Sequence, residues 1–332
     1  MTSKAEAFRA FRIRSDEQGY RAGIETMCAD ELSPGEILVR VEYSSVNYKD
    51  ALAGTGKGKI LRRFPLNGGI DVAGHVVAST DPSFREGDAV LCTGSGLSET
   101  RDGGYSEFIR LESSTAIALP GGLDLREAMI LGTAGFTAAL SLFRMEQNAQ
   151  KPSMGPIAVT GASGGVGMLA IDILARAGYE VDAITGKADH AEFLRGIGAT
   201  TVTARQDVDW GSRPLESARW AGAVDNVGGD TLAGLCRMLQ PYGNVASCGM
   251  AGGHEVHGTV MPHIIRGVSI LGIASAGTDI GIRRELWRRL GGEWKPANLR
   301  RICTQEVGLE QLTGVFPGML AGGSFGRTVV KI

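Results

Sequence analysis

Ile157-Ala-Val-Thr160 runs directly into Gly161-Ala-Ser-Gly-Gly-Val-Gly167, and that succession decides the fold. A short apolar β-type run enters a glycine-rich turn, and a helical pattern opens at once over residues 168–177. This is the order a dinucleotide-binding βαβ unit needs. In such a unit Gly161 takes the unusual backbone angles of the tight turn. Gly164 lets the main chain approach a pyrophosphate, and Gly167 lets the helix pack close to the strand. The helix N-terminus adds unpaired N–H groups and a partial positive charge. Ala162 holds the slot of the first glycine in the usual G-x-G-x-x-G spacing, so the pattern alone also reads as a glycine-rich surface loop. The strand before it and the helix after it favour a nucleotide site.

The next strand selects the nucleotide. Gly178 ends the helix, and Tyr179-Glu-Val-Asp-Ala-Ile184 reads as the second strand. An NAD site places an acid at the tip of that strand for the ribose diol. Here the tip is Thr185-Gly186-Lys187, and the nearest acid, Asp182, lies three residues too early and inside the strand. A hydroxyl, a glycine and a cation suit a 2′-phosphate, so the expected cofactor is NADPH. The alternative is that Lys187 is an ordinary solvated loop lysine.

The chain as a whole bounds the reading. Its 332 residues suit two domains, with 34 Lys and Arg against 36 Asp and Glu for a net charge of -2. That balance offers no basic face for nucleic acid. The start, Met1-Thr-Ser-Lys-Ala-Glu-Ala7, has no apolar leader core, and no segment reaches eighteen uninterrupted apolar residues. A cytoplasmic protein with no membrane partner is the expectation. The five cysteines, Cys28, Cys92, Cys236, Cys248 and Cys303, form no C-x-x-C pair, which suggests neither disulfides nor a zinc lobe. His254 and His257 are three apart, but the glycines around them point to a loop rather than a metal-binding helix. No metal is expected.

Along the chain the hydrophobic period changes once. Glu36-Ile-Leu-Val-Arg-Val-Glu-Tyr43 alternates as a half-buried strand does, and further short strands are read at 69–78, 88–92, 108–111 and 116–119. Their spacing suggests a small barrel-like β domain over the first 120 or so residues. Beyond residue 125 helices (126–131, 137–147, 188–197, 231–239) alternate with strands (157–160, 179–184, 221–229, 243–249, 268–274). That alternation means an α/β fold with a doubly wound parallel sheet. The tail Thr328-Val-Val-Lys-Ile332 is a strand with no helix after it, expected to return to the β domain.

This layout resembles the medium-chain dehydrogenase/reductase superfamily over nearly the full length. The resemblance sharpens at Ser44-Ser-Val-Asn-Tyr-Lys-Asp50, Gly69-Ile-Asp-Val-Ala-Gly74, Gly132-Thr-Ala-Gly-Phe-Thr-Ala138 and Gly326-Arg-Thr-Val-Val-Lys331, together with the glycine-rich turn and the Thr185 tip. These segments are similar to the zinc-independent quinone-oxidoreductase-like branch and, within it, to the NADPH-dependent acryloyl-CoA reductase group. The resemblance implies a GroES-like β-barrel catalytic domain over residues 1–126 and 295–332, a Rossmann NADPH-binding domain over 127–294, and a homodimer. The cysteine and histidine ligands that zinc alcohol dehydrogenases carry in the regions of 46–50 and 69–71 are missing here, as is the four-cysteine lobe. Zinc stabilises a developing alkoxide. An enoyl thioester instead holds its own electron sink, and hydrogen-bond donors can stabilise the enolate. The missing ligands therefore favour a conjugated double bond as substrate.

The resemblance also implies roles. Tyr48 lies beside nicotinamide and substrate, where it donates a proton to the α-carbon, only contacts the cofactor, or simply packs. A phenol with an ordinary pKa of about 10 is protonated near neutrality and can serve as an acid. Ser163, Gly164, Gly165 and Val166 form the pyrophosphate loop. Thr185, Gly186 and Lys187 hold the 2′-phosphate, with Arg205 either joining them or standing as a solvated loop arginine. Met250, Ile264 and Ser275 line the cofactor cleft. Lys49 and Asp50 pair with each other or serve as scaffold, and Lys57, Lys59, Arg62 and Arg63 are candidates for CoA phosphates or a solvated loop. The expected reaction is reduction of acryloyl-CoA or a similar short 2-enoyl-CoA. The alternatives are NADPH:quinone reduction and non-catalytic NADPH binding.

Overall fold

The computed structural model describes residues 7–332, so the reading of the first residues as lacking a leader falls largely outside the described residues. The chain divides into two compact units. Of the described residues, the first comprises 7–133, 276–291 and 299–332, and the second 134–275 and 292–298.

The first unit is built from strands β1 (Phe8–Asp16), β2 (Gly19–Met27), β3 (Ile37–Val46), β4 (Leu66–Asn67), β5 (Asp71–Ser79), β6 (Ala89–Thr93), β7 (Phe108–Leu111) and β8 (Ile117–Ala118), with helix α1 (Tyr48–Thr55) between β3 and β4. One sheet has the order β2-β1-β4. In β3 the alternation of Ile37, Val39 and Val41 is met by Val72 and Val76 of β5, Val90 of β6 and Ile109 of β7 in one core. A second core joins Phe11 and Ile13 of β1 to Ala51 and Ala53 of α1 and to Phe316. The two sheets therefore fold as the small β domain that the short-strand spacing predicts. The hairpin β1–β2 and helix α1 are additions to that reading.

The second unit holds six parallel strands in the order β11-β10-β9-β12-β13-β14, namely β9 (Ile157–Thr160), β10 (Val181–Thr185), β11 (Thr201–Ala204), β12 (Trp220–Asp225), β13 (Leu239–Ser247) and β14 (Ser269–Gly272). Every pairing in this sheet is parallel. The order is that of a doubly wound dinucleotide fold, with the strand order reversing at β9. Helix α2 (Leu125–Gln147) precedes the sheet, and α3 (Gly165–Arg176), α4 (Ala191–Gly196), α5 (Gly229–Met238) and α6 (Met261–Arg266) connect its strands. The two helices expected at 126–131 and 137–147 are one element, α2, broken where Gly132 adopts φ 50° and ψ -154°. Among the described residues α2 alone is long and apolar enough to cross a membrane, and 83% of its apolar window is buried as a core helix.

The tail returns to the first unit as expected. After α7 (Ile280–Leu290) and α8 (Leu299–Ile302) come β15 (Cys303–Val307), α9 (Leu312–Leu320) and β16 (Arg327–Lys331). Strand β16 pairs antiparallel with β3 and parallel with β15, giving the order β15-β16-β3-β5-β6-β8. The boundaries differ from the expected 127–294. Residues 276–291 belong to the first unit because the buried Arg283 of α7 donates to Thr93 O at 2.8 Å and Thr93 Oγ1 at 3.0 Å. Residues 292–298 belong to the second because Asp172 of α3 accepts from the N–H groups of Ala297 and Asn298, at 3.0 and 2.8 Å.

Candidate functional site

In the second unit the expected cofactor residues other than Ile264 lie at the carboxyl ends of the parallel strands, where open α/β sheets bind ligands. Gly161 takes φ 59° at the turn after β9. A Cβ on Gly167 would collide with the Gly161 carbonyl oxygen and come within 2.7 Å of Ala162 Cα, so α3 sits this close to the turn only with glycine there. Gly164 is the N-cap of the 12-residue α3 and offers no side-chain cap, which leaves the first-turn N–H groups of Gly165, Val166 and Gly167 open. That set of donors and the helix dipole fit a pyrophosphate.

The tip of β10 is tied to this turn. Thr185 Oγ1 donates to Ser163 Oγ at 3.1 Å and accepts from Lys187 N at 3.0 Å. Gly186 leaves room for Arg205, whose guanidinium would stand 3.5 Å from a Cβ at that position. The pairing of Thr185 with Ala204 across β10 and β11 brings Arg205 there. The exposed Gly186 and the half-buried Lys187 thus form a strand tip with the Arg205 guanidinium beside it and the buried Thr185 hydroxyl tying it to the turn, an arrangement whose cations fit a 2′-phosphate. Asp182 is committed elsewhere, accepting from Thr203 Oγ1 at 2.8 Å, Trp220 Nε1 at 2.9 Å and Arg219 Nη2 at 3.0 Å. Its carboxylate is used within the sheet.

Met250, 69% exposed, follows the end of β13, and Ser275 follows the end of β14. Ile264 does not join them. The segment after Met250 runs back along α5, with Gly258 over Ala233 and His257 O accepting from Arg237. It carries α6 to the start of β13, where Arg266 donates to Leu239 O at 3.0 Å. Ile264 therefore lies at the opposite end of the strands, 76% exposed.

The sequence reading passed over Asp225, buried at the end of β12. It accepts from Thr160 Oγ1 at 2.6 Å, Val227 N at 3.1 Å and Gly228 N at 3.0 Å. Burial raises its pKa, and burial also pushes the adjoining Cys248 thiol up to about 12. The Asp225 carboxylate shapes the turn after β12 rather than facing a ligand.

In the first unit Tyr48 is the first residue of α1 and is 52% exposed. Beneath it lies a buried polar network. Asp50 accepts from Asn47 N at 2.9 Å and Asn47 Nδ2 at 3.1 Å, closing a capping box, and from Ile70 N at 2.9 Å. Asp71 accepts from Ser45 Oγ at 2.6 Å, Asn47 Nδ2 at 2.8 Å, Thr133 N at 2.9 Å and Thr133 Oγ1 at 2.6 Å. Arg327 donates to Ser45 Oγ at 2.8 Å, Val46 O at 3.0 Å, Asn47 Oδ1 at 3.2 Å and Ile130 O at 2.8 Å. A Cβ at Gly132 would fall 2.5 Å from Asp71 Oδ2 and 2.9 Å from Arg327 Nη2, so the network fills the space a side chain needs. Burial, and then the charge of Asp71, raises Asp50 to about 7. The expected Lys49–Asp50 pair is corrected here: Asp50 faces inward to backbone donors, and Lys49 pairs with Glu99.

The motifs around Asn47, Asp71 and Arg327 do not by themselves disclose this network. For Asp71 and Arg327 the signal is a charge set inside an apolar strand, as in Ile-Asp-Val-Ala and Arg-Thr-Val-Val, because such charges persist only when partnered. All five cysteines are free, and no group of three or more His, Cys, Asp or Glu that could hold a metal ion occurs among the described residues.

Comparison with known proteins places this geometry. The family described as alcohol dehydrogenase GroES-like domain matches residues 33–121, and that described as zinc-binding dehydrogenase matches residues 165–290. The putative quinone oxidoreductase YhfP of Bacillus subtilis is 43% identical over 98% of this chain and 99% of its own. The chain belongs to the medium-chain dehydrogenase/reductase superfamily. As a member it is an oxidoreductase. The structure of YhfP with NAD bound matches at a TM-score of 0.95 over 99% of this chain and all of that one, with 42% identity. Acrylyl-CoA reductase AcuI of Ruegeria pomeroyi is 40% identical over 98% of this chain and 99% of its own. The yhdH oxidoreductase of Salmonella enterica, solved in complex with NADP, matches at a TM-score of 0.93 with 41% identity, covering 98% of this chain and 99% of that one.

Proposed function

We propose that the protein reduces the conjugated double bond of acryloyl-CoA, or a similar short 2-enoyl-CoA, with NADPH and without zinc. The observation that carries this reading is the full-length likeness to a superfamily member named acrylyl-CoA reductase. NADPH, when bound, supplies the hydride. In this reading Ser163, Gly164 and the open N–H groups of Gly165 and Val166 hold the pyrophosphate. Thr185, Gly186, Lys187 and Arg205 hold the 2′-phosphate, and Met250 and Ser275 lie along the same strand ends. Relatives solved with NADP and with NAD are both known, and the cationic tip without a free acid supports NADPH.

The reaction adds a hydride at the β-carbon and a proton at the α-carbon, so the C=C bond becomes a single bond and the thioester is kept. Between the two additions the negative charge rests on the thioester oxygen as an enolate, which hydrogen-bond donors stabilise. Tyr48 supplies the proton from its phenol in this proposal, and the Asn47–Asp50 box beneath it fixes the first turn that carries it. Its exposure suits a group that meets a substrate.

A second reading, NADPH:quinone reduction, is favoured by the putative quinone oxidoreductase among the relatives. It needs no proton at carbon. NADPH oxidation by the purified protein, followed with acryloyl-CoA, crotonyl-CoA and a set of quinones, separates the two. Turnover with acryloyl-CoA and formation of propionyl-CoA are expected. Rapid turnover with quinones alone would replace the first reading by the second.

We also propose a homodimer in a reducing, cytoplasmic setting. Strand β14 is the sheet edge, Ile270 on it is 43% exposed, and Ile265 nearby on α6 is 62% exposed. An open apolar edge of this kind calls for a partner, and a molar mass in solution near twice that of the chain is the expected result.

A further inference from the structure

Helix α1 begins at Tyr48 and ends, about 12 Å on, at a loop that carries Lys57, Lys59 and Arg62. None of these three side chains has a hydrogen-bond or ion-pair partner among the described residues. The other basic residues nearby are occupied. Arg63 donates to Thr100 O at 2.7 Å and Ser33 Oγ at 2.6 Å, and Lys49 pairs with Glu99. Glu99, whose carbonyl accepts from Arg62 N at 2.8 Å, gives its carboxylate to Lys49. The loop therefore carries cations that have no acidic partner among the described residues.

Two aromatic rings lie on the same surface. Tyr20 and Phe64 are each 39% exposed and meet edge to face, with centroids 5.8 Å apart. The Tyr20 hydroxyl donates to Ala53 O on α1, and a Cβ at Gly56 would lie 2.9 Å from its ring. The pair is thus anchored beside Lys57, and Phe64 stands two residues after Arg62. Exposed rings flanked by free cations match a purine bearing phosphates, since a base stacks on a π-face and Lys and Arg pair with phosphate oxygens.

We propose that this face, formed by Tyr20, Phe64, Lys57, Lys59 and Arg62, seats the 3′-phospho-ADP head of the CoA thioester. The inference rests on the enoyl-CoA reading above, with Tyr48 marking the reacting end. The pantetheine arm then runs the length of α1, from the thioester near Tyr48 to the phosphates at the loop. Reduction needs no contact with this head, so its role is to bind and orient.

The test compares acryloyl-CoA with acryloyl-pantetheine, which has the same reacting end and no phosphates or adenine. The wild-type protein is expected to show a KM at least about tenfold lower for the CoA ester, about 1.4 kcal/mol. Lys57→Ala, Lys59→Ala and Arg62→Ala combined should remove most of that advantage, leaving acryloyl-pantetheine kinetics and the NADPH KM unchanged. Adenosine 3′,5′-bisphosphate should compete with acryloyl-CoA for the wild-type protein and lose this effect in the variant. Equal KM values for the two thioesters, or a variant that shifts both alike, overturns the site while the reductase reading stands. Reduction of neither thioester overturns the reductase reading and the site with it.

Discussion

Thr185 Oγ1 donates a 3.1 Å hydrogen bond to Ser163 Oγ and accepts one from Lys187 N, so the tip of β10 and the glycine-rich turn after β9 are one bonded unit. In the proposed reading this bond sets the separation between the residues for the 2′-phosphate and those for the pyrophosphate. Thr185→Val keeps the shape and removes both bonds. A loss of about 1 kcal/mol is expected, seen as a roughly fivefold higher KM for NADPH; an unchanged KM would mean that the bond positions nothing.

Lys187 and Arg205 flank Gly186, with no acid at the strand tip. Lys187→Ala and Arg205→Ala are each expected to raise the KM for NADPH roughly tenfold and to leave that for NADH almost unmoved. Asp182→Asn should lower the melting temperature without altering the preference, because Asp182 serves Thr203, Arg219 and Trp220. The ratio of kcat/KM for the two cofactors, measured on all three variants, checks both statements.

Two glycines of one loop should fail differently. A Cβ at Gly167 meets backbone atoms of Gly161 and Ala162, whereas one at Gly164 meets only Gly161 O at 3.3 Å. Gly167→Ala is expected to destabilise the fold by about 2 kcal/mol. Gly164→Ala should nearly keep the wild-type melting temperature and lose NADPH affinity, because its methyl group stands where the pyrophosphate would approach. Thermal melts paired with NADPH titrations separate the two effects, and equal stability losses would refute the distinction.

Tyr48→Phe removes a hydroxyl that makes no hydrogen bond among the described residues. As proton donor to the α-carbon, Tyr48 should take roughly 100-fold or more of kcat with acryloyl-CoA when it is lost, with the NADPH KM little changed. Full turnover by the variant would leave Tyr48 as a contact residue. Any quinone reduction should survive the change.

Asp50 carries a pH signature. Burial and Asp71 raise its pKa to about 7 in the folded protein, above the ordinary aspartate value of 3.8. The native state therefore binds the proton more tightly than the unfolded chain between those values, and this group's contribution to stability falls as pH rises from about 4 to about 7. Asp50→Asn lacks that titration. Its melting temperature, taken relative to the wild type, should rise across the same interval and level off above it, and a constant difference would contradict the raised pKa.

How much of this was legible beforehand differs between the two units. The parallel sheet, the glycine turn and the Thr185 tip are local in the chain, since a strand, its turn and its helix are contiguous and their periods differ. Hairpin β1–β2 and helix α1 were missed. The first alternates weakly, and its strand β2 is mostly exposed. The second is only eight residues long, too short for a clear helical period.

The amino-acid sequence by itself determined the superfamily, the nucleotide turn and the cationic strand tip, because each is written in residues that are neighbours along the chain. Only the tertiary structure decided that Asp50, Asp71 and Arg327 form one buried network, that Lys49 turns to Glu99, that Ile264 stands away from the strand ends, and that Tyr20 joins Phe64 beside Lys57. These relations join residues tens to hundreds of positions apart. Their distances depend on sheet register and on the chain's return at β16, and no local pattern encodes either.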